Sequence, residues 1–175
     1  MKQLFILPVA AMLFASCGDG KMEAAQQMAD STATVVEPWV VNLAAMDIPA
    51  VVELGDRATL QADSAAVRWN EEFGHVEVRV GDHFAITISE EPGDIVRLKA
   101  DLDRDMLRKH TILEETPDKV IFRSQFPDED LVFIHFYQVI PIGDRTFVVE
   151  DAAEGRFNEA DIKRMAGSVQ AHVAS

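Results

Sequence analysis

The chain of 175 residues has one cysteine, Cys17. An internal disulfide is therefore excluded, and the fold has to rest on an apolar core, which a chain of this length can build. No apolar run reaches the roughly 20 residues that span a bilayer. The N-terminal one, Leu4 to Phe14, is short and contains Pro8. Basic residues are scarce, 16 Lys and Arg against 30 Asp and Glu, for a formal charge of −14. A surface of that sign repels phosphate, so nucleic acid is not an expected partner. No glycine-rich phosphate loop, G-x-S-x-G or S-x-x-K occurs, and Ser64, Ser89, Ser124 and Ser168 stand in no recognised nucleophile context.

Metal chemistry is equally thin. The acidic residues are scattered, and the densest cluster, Pro127 to Asp130, lacks the alternating oxygen ligands and glycine of an EF-hand loop. It reads as a turn. The histidines, His75, His83, His110, His135 and His172, show no ligand spacing. Neither a metal nor a cofactor is expected. His135 alone stands out, because it sits inside an apolar run beside Phe136 and Tyr137. A histidine there needs a hydrogen-bond partner or loses its charge. The plain reading is a satisfied sheet histidine, and the functional one a candidate ligand contact.

The first residues carry a layout of their own. Lys2 gives a positive start, Leu4 to Phe14 is apolar, and small Ala15 and Ser16 precede Cys17. This is the three-part pattern of a secretory signal. Leu13-Phe14-Ala15-Ser16-Cys17 resembles the lipobox of bacterial lipoproteins, although Phe14 stands where Leu is usual and Leu13 sits one place earlier. That resemblance implies a signal peptide over 1–16 and a diacylglyceryl group on Cys17. It also implies a chain held by lipid in the cell envelope, with the outer membrane the expected site. Loss of Lys2 with the signal takes the formal charge from −14 to −15. Only Asp19 follows Cys17 closely before Lys21, so periplasmic and surface orientations both stay open.

Residues 17–37 are small and polar and read as a flexible tether. A single domain over 38–175 follows, opened by Trp39 as an expected core anchor. Ala50 to Leu54 reads as a strand stopped by Gly55-Asp56, and "AAVRWN" as another. Val76, Val78 and Val80 alternate with polar residues, as do Phe84, Ile86 and Ile88. A three-residue loop, Gly81 to His83, places all six on one face of a hairpin, whereas a two-residue loop splits them. Ile95, Leu98, Leu102 and Met106 recur at helical spacing, which predicts an amphipathic helix from near Pro92 to a last turn holding Arg108, Lys109 and His110. "TILEE", "KVIFRSQF", "LVFIHFYQVIPI" and "RTFVVED" predict four strands, the third apolar on both faces and so covered on both sides. Asn158 and Asp161 mark a capped C-terminal helix, with Ile162, Met165, Ala166, Val169 and Val173 as its buried stripe.

The expected class is α+β: an antiparallel sheet of about seven strands, an amphipathic helix in the middle and a C-terminal helix packed on the sheet. From Asp47 onward this arrangement resembles the PsbP-like fold, chiefly through "GDRTFVVEDAAEGRFNEADIKRMAGSVQAH", Gly143 to His172. The resemblance implies a sheet sandwiched by helices and an accessory or binding role. Together these observations lead to the expectation of a membrane-anchored, non-enzymatic lipoprotein with an unidentified protein or small-molecule partner. The alternatives are a lipid-anchored hydrolase with dispersed carboxylates and a structural protein of envelope assembly.

Overall fold

The computed structural model describes residues 39–172. Cys17, the signal region and the tether lie outside the described residues, as does Val173. The elements begin with β1 (Trp39–Asn42), β2 (Ala50–Gly55), a one-turn helix α1 (Arg57–Leu60), β3 (Ala66–Asn70), β4 (His75–Val80) and β5 (Phe84–Glu90). They continue with α2 (Ile95–Arg104), β6 (Lys109–Thr116), β7 (Lys119–Gln125), β8 (Val132–Ile142), β9 (Arg145–Asp151), α3 (Glu159–Met165) and β10 (Val169–Ala171).

Hydrophobic alternation sets the register of the β4–β5 hairpin. Val80 faces Phe84, Val78 faces Ile86 and Val76 faces Ile88, across the three-residue loop Gly81 to His83. All six side chains are buried on one face, each contributing about 1.5–3 kcal/mol relative to exposure. Gly81 has φ +53°, and a Cβ there would lie 2.7 Å from the Leu60 carbonyl oxygen. Only glycine suits that turn.

The class is α+β. Seven strands form one antiparallel sheet in the order β3-β4-β5-β9-β8-β7-β6. A second sheet, β1-β2-β10, was not anticipated from the sequence. The large sheet has two unlike faces. One carries Val78, Ile86, Phe136 and Ile121 at paired positions and is roofed by Ile162 and Met165 of α3 and by Val52 and Leu54 of β2, all buried. The other carries Glu77, Thr87, Glu150, Tyr137 and Val120. The segment leading into α2 lies on this second face. Tyr137 Oη accepts from the Asp94 N–H at 3.0 Å. Gly93, at φ +59°, sits where a Cβ would come within 2.6 Å of Val139.

The expectations for α2, α3 and Trp39 are corrected. Helix α2 starts at Ile95 with Asp94 as N-cap, its carboxylate accepting from the Arg97 N–H at 2.8 Å, so Pro92 stands outside the first turn. The helix stops at Arg104, because the Asp105 carboxylate accepts from the N–H groups of Leu107 and Arg108 and turns the chain. Met106 is consequently 94% exposed, and Lys109 and His110 belong to β6. Helix α3 has its anticipated capping box: Asn158 Oδ1 accepts from the Asp161 N–H at 3.0 Å, and Asp161 accepts from the Asn158 N–H at 3.4 Å. It ends at Met165, however, and Val169 lies in β10, paired with Val52. Trp39 is only half-buried at the core margin, with the Arg57 guanidinium 4.0 Å from its ring centroid.

Candidate functional site

Helix α2 is too short and too loosely seated to cover the polar face, and none of its residues is fully buried. The uncovered part forms a cleft of about 650 Å³, within the size range of small-ligand sites. Strand β8 is accordingly not sealed on both sides as expected; only Phe136 and Ile142 in it are buried. The cleft floor is built from polar-face positions of β4, β5, β9, β8 and β7, and Phe73, Leu102, Phe122 and Ala153 supply apolar wall.

Three histidines that lie far apart in sequence line this cleft: His75 on β4, His135 on β8 and His110 on β6. Each has a carboxylate partner. His75 Nε2 is 3.4 Å from Glu77 Oε1, His110 Nε2 is 2.9 Å from Asp105 Oδ2, and His135 Nδ1 is 2.8 Å from Asp151 Oδ2. The His135 ring lies parallel to Phe133 and tilted against Phe122. His135 is thus both a satisfied sheet histidine and a cleft-lining one. His83 sits elsewhere, 3.2 Å from the Asp161 carboxylate. Among the described residues no His, Asp or Glu cluster could hold a metal ion.

Asp151 joins the histidine to the sheet. Its Oδ1 accepts from the buried Phe136 N–H at 2.8 Å, just past the last β8–β9 pair, Tyr137 with Glu150. The side chain thereby replaces a ladder carbonyl where the two strands part. Glu77 accepts from Asn70 Nδ2 and Arg68 Nε, both at 2.7 Å, and these bonds hold its carboxyl down at about 2.

Ser124, His110 and Asp105 form a relay of hydrogen bonds. A carboxylate only accepts, so His110 donates from Nε2 to Asp105, and its Nδ1 lies 2.8 Å from the Ser124 hydroxyl. The order matches nucleophile, base and orienter. The surroundings do not. Ser124 is 1% exposed, and its backbone is paired on both sides, with His110 and Phe133, leaving no free N–H for an oxyanion. Asp105 is already bound by the turn after α2, and the His110 bond, with the Leu107 N–H, holds its carboxyl well below the usual range. This relay ties the helix end to the sheet.

Glu150 differs from every other carboxylate in the cleft. It is opposite Thr87 on one side and Tyr137 on the other, and among the described residues its carboxylate has neither a hydrogen bond nor an ion pair. Burial, then the charges of Asp151 and Glu91, push its carboxyl up to about 7, with His135 opposing. The consequence for stability has a definite sign. Between the ordinary value of 4.5 and about 7 the unfolded chain ionises Glu150 while the folded chain keeps the proton, so stability falls as pH rises through that window. Glu150→Gln is expected to be more stable than wild type by on the order of 2 kcal/mol near pH 8, and equal to it near pH 4. Thermal melts at the two pH values check this.

The sequence singled out His135 but not its companions. Strand alternation places Glu150 beside Thr87 and Tyr137 only once β9 is known to lie between β5 and β8, and no local signal states that order. No protein-family model matches the chain, and no curated protein or solved structure is significantly similar to it.

Proposed function

We propose that this protein is a lipid-anchored binding module of the bacterial envelope, held in a membrane, with the outer membrane preferred, through Cys17, and taking a small molecule in the polar-face cleft. The observation that carries the reading is the cleft itself: about 650 Å³, lined by apolar residues such as Phe122 and Leu102 and by polar ones such as Thr87 and Glu150, on a face that the fold leaves open. The lipobox-like sequence before Cys17 supports the anchor. The accessory and binding roles implied by the PsbP-like resemblance point the same way. The strongly acidic surface disfavours nucleic acid. A hydrolase reading would rest on the Ser124–His110–Asp105 relay, and the burial of Ser124 weighs against it.

Native mass spectrometry of the full chain, extracted from membranes in mild detergent, tests the proposal. Wild type is expected to carry a non-covalent small-molecule mass that Thr87→Trp, which fills the cleft floor, loses. Bare protein in both cases, after loading with cell extract, would contradict it.

A further inference from the structure

The charges lining the cleft pair off, with one exception. Arg68 Nη2 lies 2.6 Å from Glu77, and Arg108 Nε lies 2.9 Å from Asp105. Arg79 reaches toward Glu154 at 3.9 Å on the exposed rim, and His135 is held by Asp151 at 2.8 Å. Among the described residues every cation of the cleft therefore faces a carboxylate, and Glu150 is the carboxylate left over. It does not sit at the rim. It occupies the middle strands of the sheet, between Thr87 of β5 and Tyr137 of β8. From this arrangement we infer that the cleft selects a small organic amine, its ammonium group seated on the Glu150 carboxylate and its apolar body against Phe122, which lies on the same face two strands away. The inference deepens the binding role proposed above and rests on it.

The chemistry of the neighbours fits an ammonium group. Thr87 offers a hydroxyl oxygen directly across the strand pair from Glu150, and an ammonium has three protons to donate. A carboxylate in a partly desolvated site attracts a cation more strongly than one in water. Phe122, in the cleft wall, offers a phenyl ring to the apolar body of such an amine. The formal charge of −14 draws cations toward the protein before contact.

An anionic ligand has no comparable seat. It would need an unpaired arginine or lysine on the cleft floor; Arg68 and Arg108 are both occupied, and Arg79 lies at the exposed rim with Glu154 3.9 Å away.

Proton linkage gives the inference a second handle. The groups facing Glu150 are Asp151 on its own strand, His135 and Tyr137 on β8, and Glu91 just past β5; Asp94, at the start of α2, adds a further negative charge beside Tyr137. Asp151, Glu91 and the burial itself favour the neutral acid, and His135 opposes them. An arriving ammonium favours the carboxylate, so binding expels the Glu150 proton at mildly acidic pH. Affinity should rise with pH toward the alkaline side of neutrality and level off there, as long as the amine itself stays protonated.

The test is calorimetric titration of the full lipidated chain in detergent micelles. The probes are phenethylamine, its anionic counterpart 3-phenylpropionate, and neutral 3-phenylpropanol. Phenethylamine is expected to bind wild type at least tenfold more tightly than either counterpart near pH 8. Its affinity should fall by tenfold or more near pH 5.5, and by a similar factor in Glu150→Gln at pH 8. Melts of the variant establish that it is folded. If the alcohol or the anion binds wild type as well as the amine, and Thr87→Trp abolishes that binding, the amine assignment is overturned while the binding role stands. If Glu150→Gln binds phenethylamine unchanged, the assignment is also overturned. If none of the three probes binds, the amine assignment falls, and only the native mass measurement still bears on the wider binding role.

Discussion

Cys17→Ala is expected to abolish incorporation of an alkyne-tagged fatty acid into this protein and to leave it uncleaved at the Ser16–Cys17 bond. The physical reason is that a lipoprotein's lipid is taken by a cysteine thiolate as nucleophile, and Cys17 is the one cysteine of the chain. With no thiol at this position nothing else in the sequence can substitute. Each buried methylene of an acyl chain gives about 0.8 kcal/mol of membrane affinity, so two or more chains hold a protein firmly where a single one does not. Wild type should therefore fractionate with membranes and resist high salt, because its acidic surface gives no electrostatic attachment that salt could break. Gel fluorescence after labelling, with fractionation of the same cells, reads both effects. Equal labelling of wild type and Cys17→Ala would end the lipoprotein reading.

Asp151→Ala is expected to lower stability by about 3 kcal/mol, and Asp151→Asn by a third of that or less. Asp151 is buried and accepts from the Phe136 N–H and from His135 Nδ1, each at 2.8 Å. Alanine leaves a buried backbone N–H without an acceptor, at about 1–3 kcal/mol, and removes a charge-assisted bond as well. Asparagine keeps an oxygen in place for the Phe136 N–H. The alanine variant should melt roughly 10 °C below wild type, with asparagine a few degrees below. The same change frees His135, so the cleft loses a fixed wall together with its stability. An Asp151→Ala melt within a degree or two of wild type would show that water, not the carboxylate, satisfies this strand end.

Strands β2 to β9 were legible because each carries its pattern locally, whereas β1 and β10, of four and three residues, were not. The hairpin register followed from six apolar residues that only one loop length could gather. The capping box of α3 was visible at Asn158 and Asp161 for the same reason, since the cap is a contact three residues long. Helix ends were less visible. Leu102 and Met106 continue the apolar spacing past Arg104, but Asp105 captures the next N–H groups and stops the helix. After Met165, Ser168 turns back onto the Met165 carbonyl, and Val169 continues into a strand on β2. In both places a short-range hydrogen bond outweighed a periodicity that continued through it.

The site was legible only in part. His135 drew attention because a histidine in an apolar run is unusual. His75, Glu77 and Glu150 read as ordinary polar positions on the outward face of their strands, and so they are, while His110 read as part of the last helical turn and lies instead in β6. They become a site because β9 inserts between β5 and β8, pairing residues more than 50 positions apart, and because α2 covers only part of the face they share. Pairing at that separation leaves no local trace. The relay of Ser124, His110 and Asp105 shows the converse: residues that invite a catalytic reading by distance, and whose burial gives them a structural one.

The central claim is that the open polar face is a ligand site, and differential thermal unfolding over a small-molecule library tests it most directly. The full chain, extracted from membranes, and its Thr87→Trp variant are screened side by side in the same detergent. The prediction is a set of compounds that raise the melting temperature of wild type by several degrees and leave the filled-cleft variant unmoved, as binding to the folded state alone requires. Compounds that stabilise both proteins equally, or none that stabilises wild type, would contradict it.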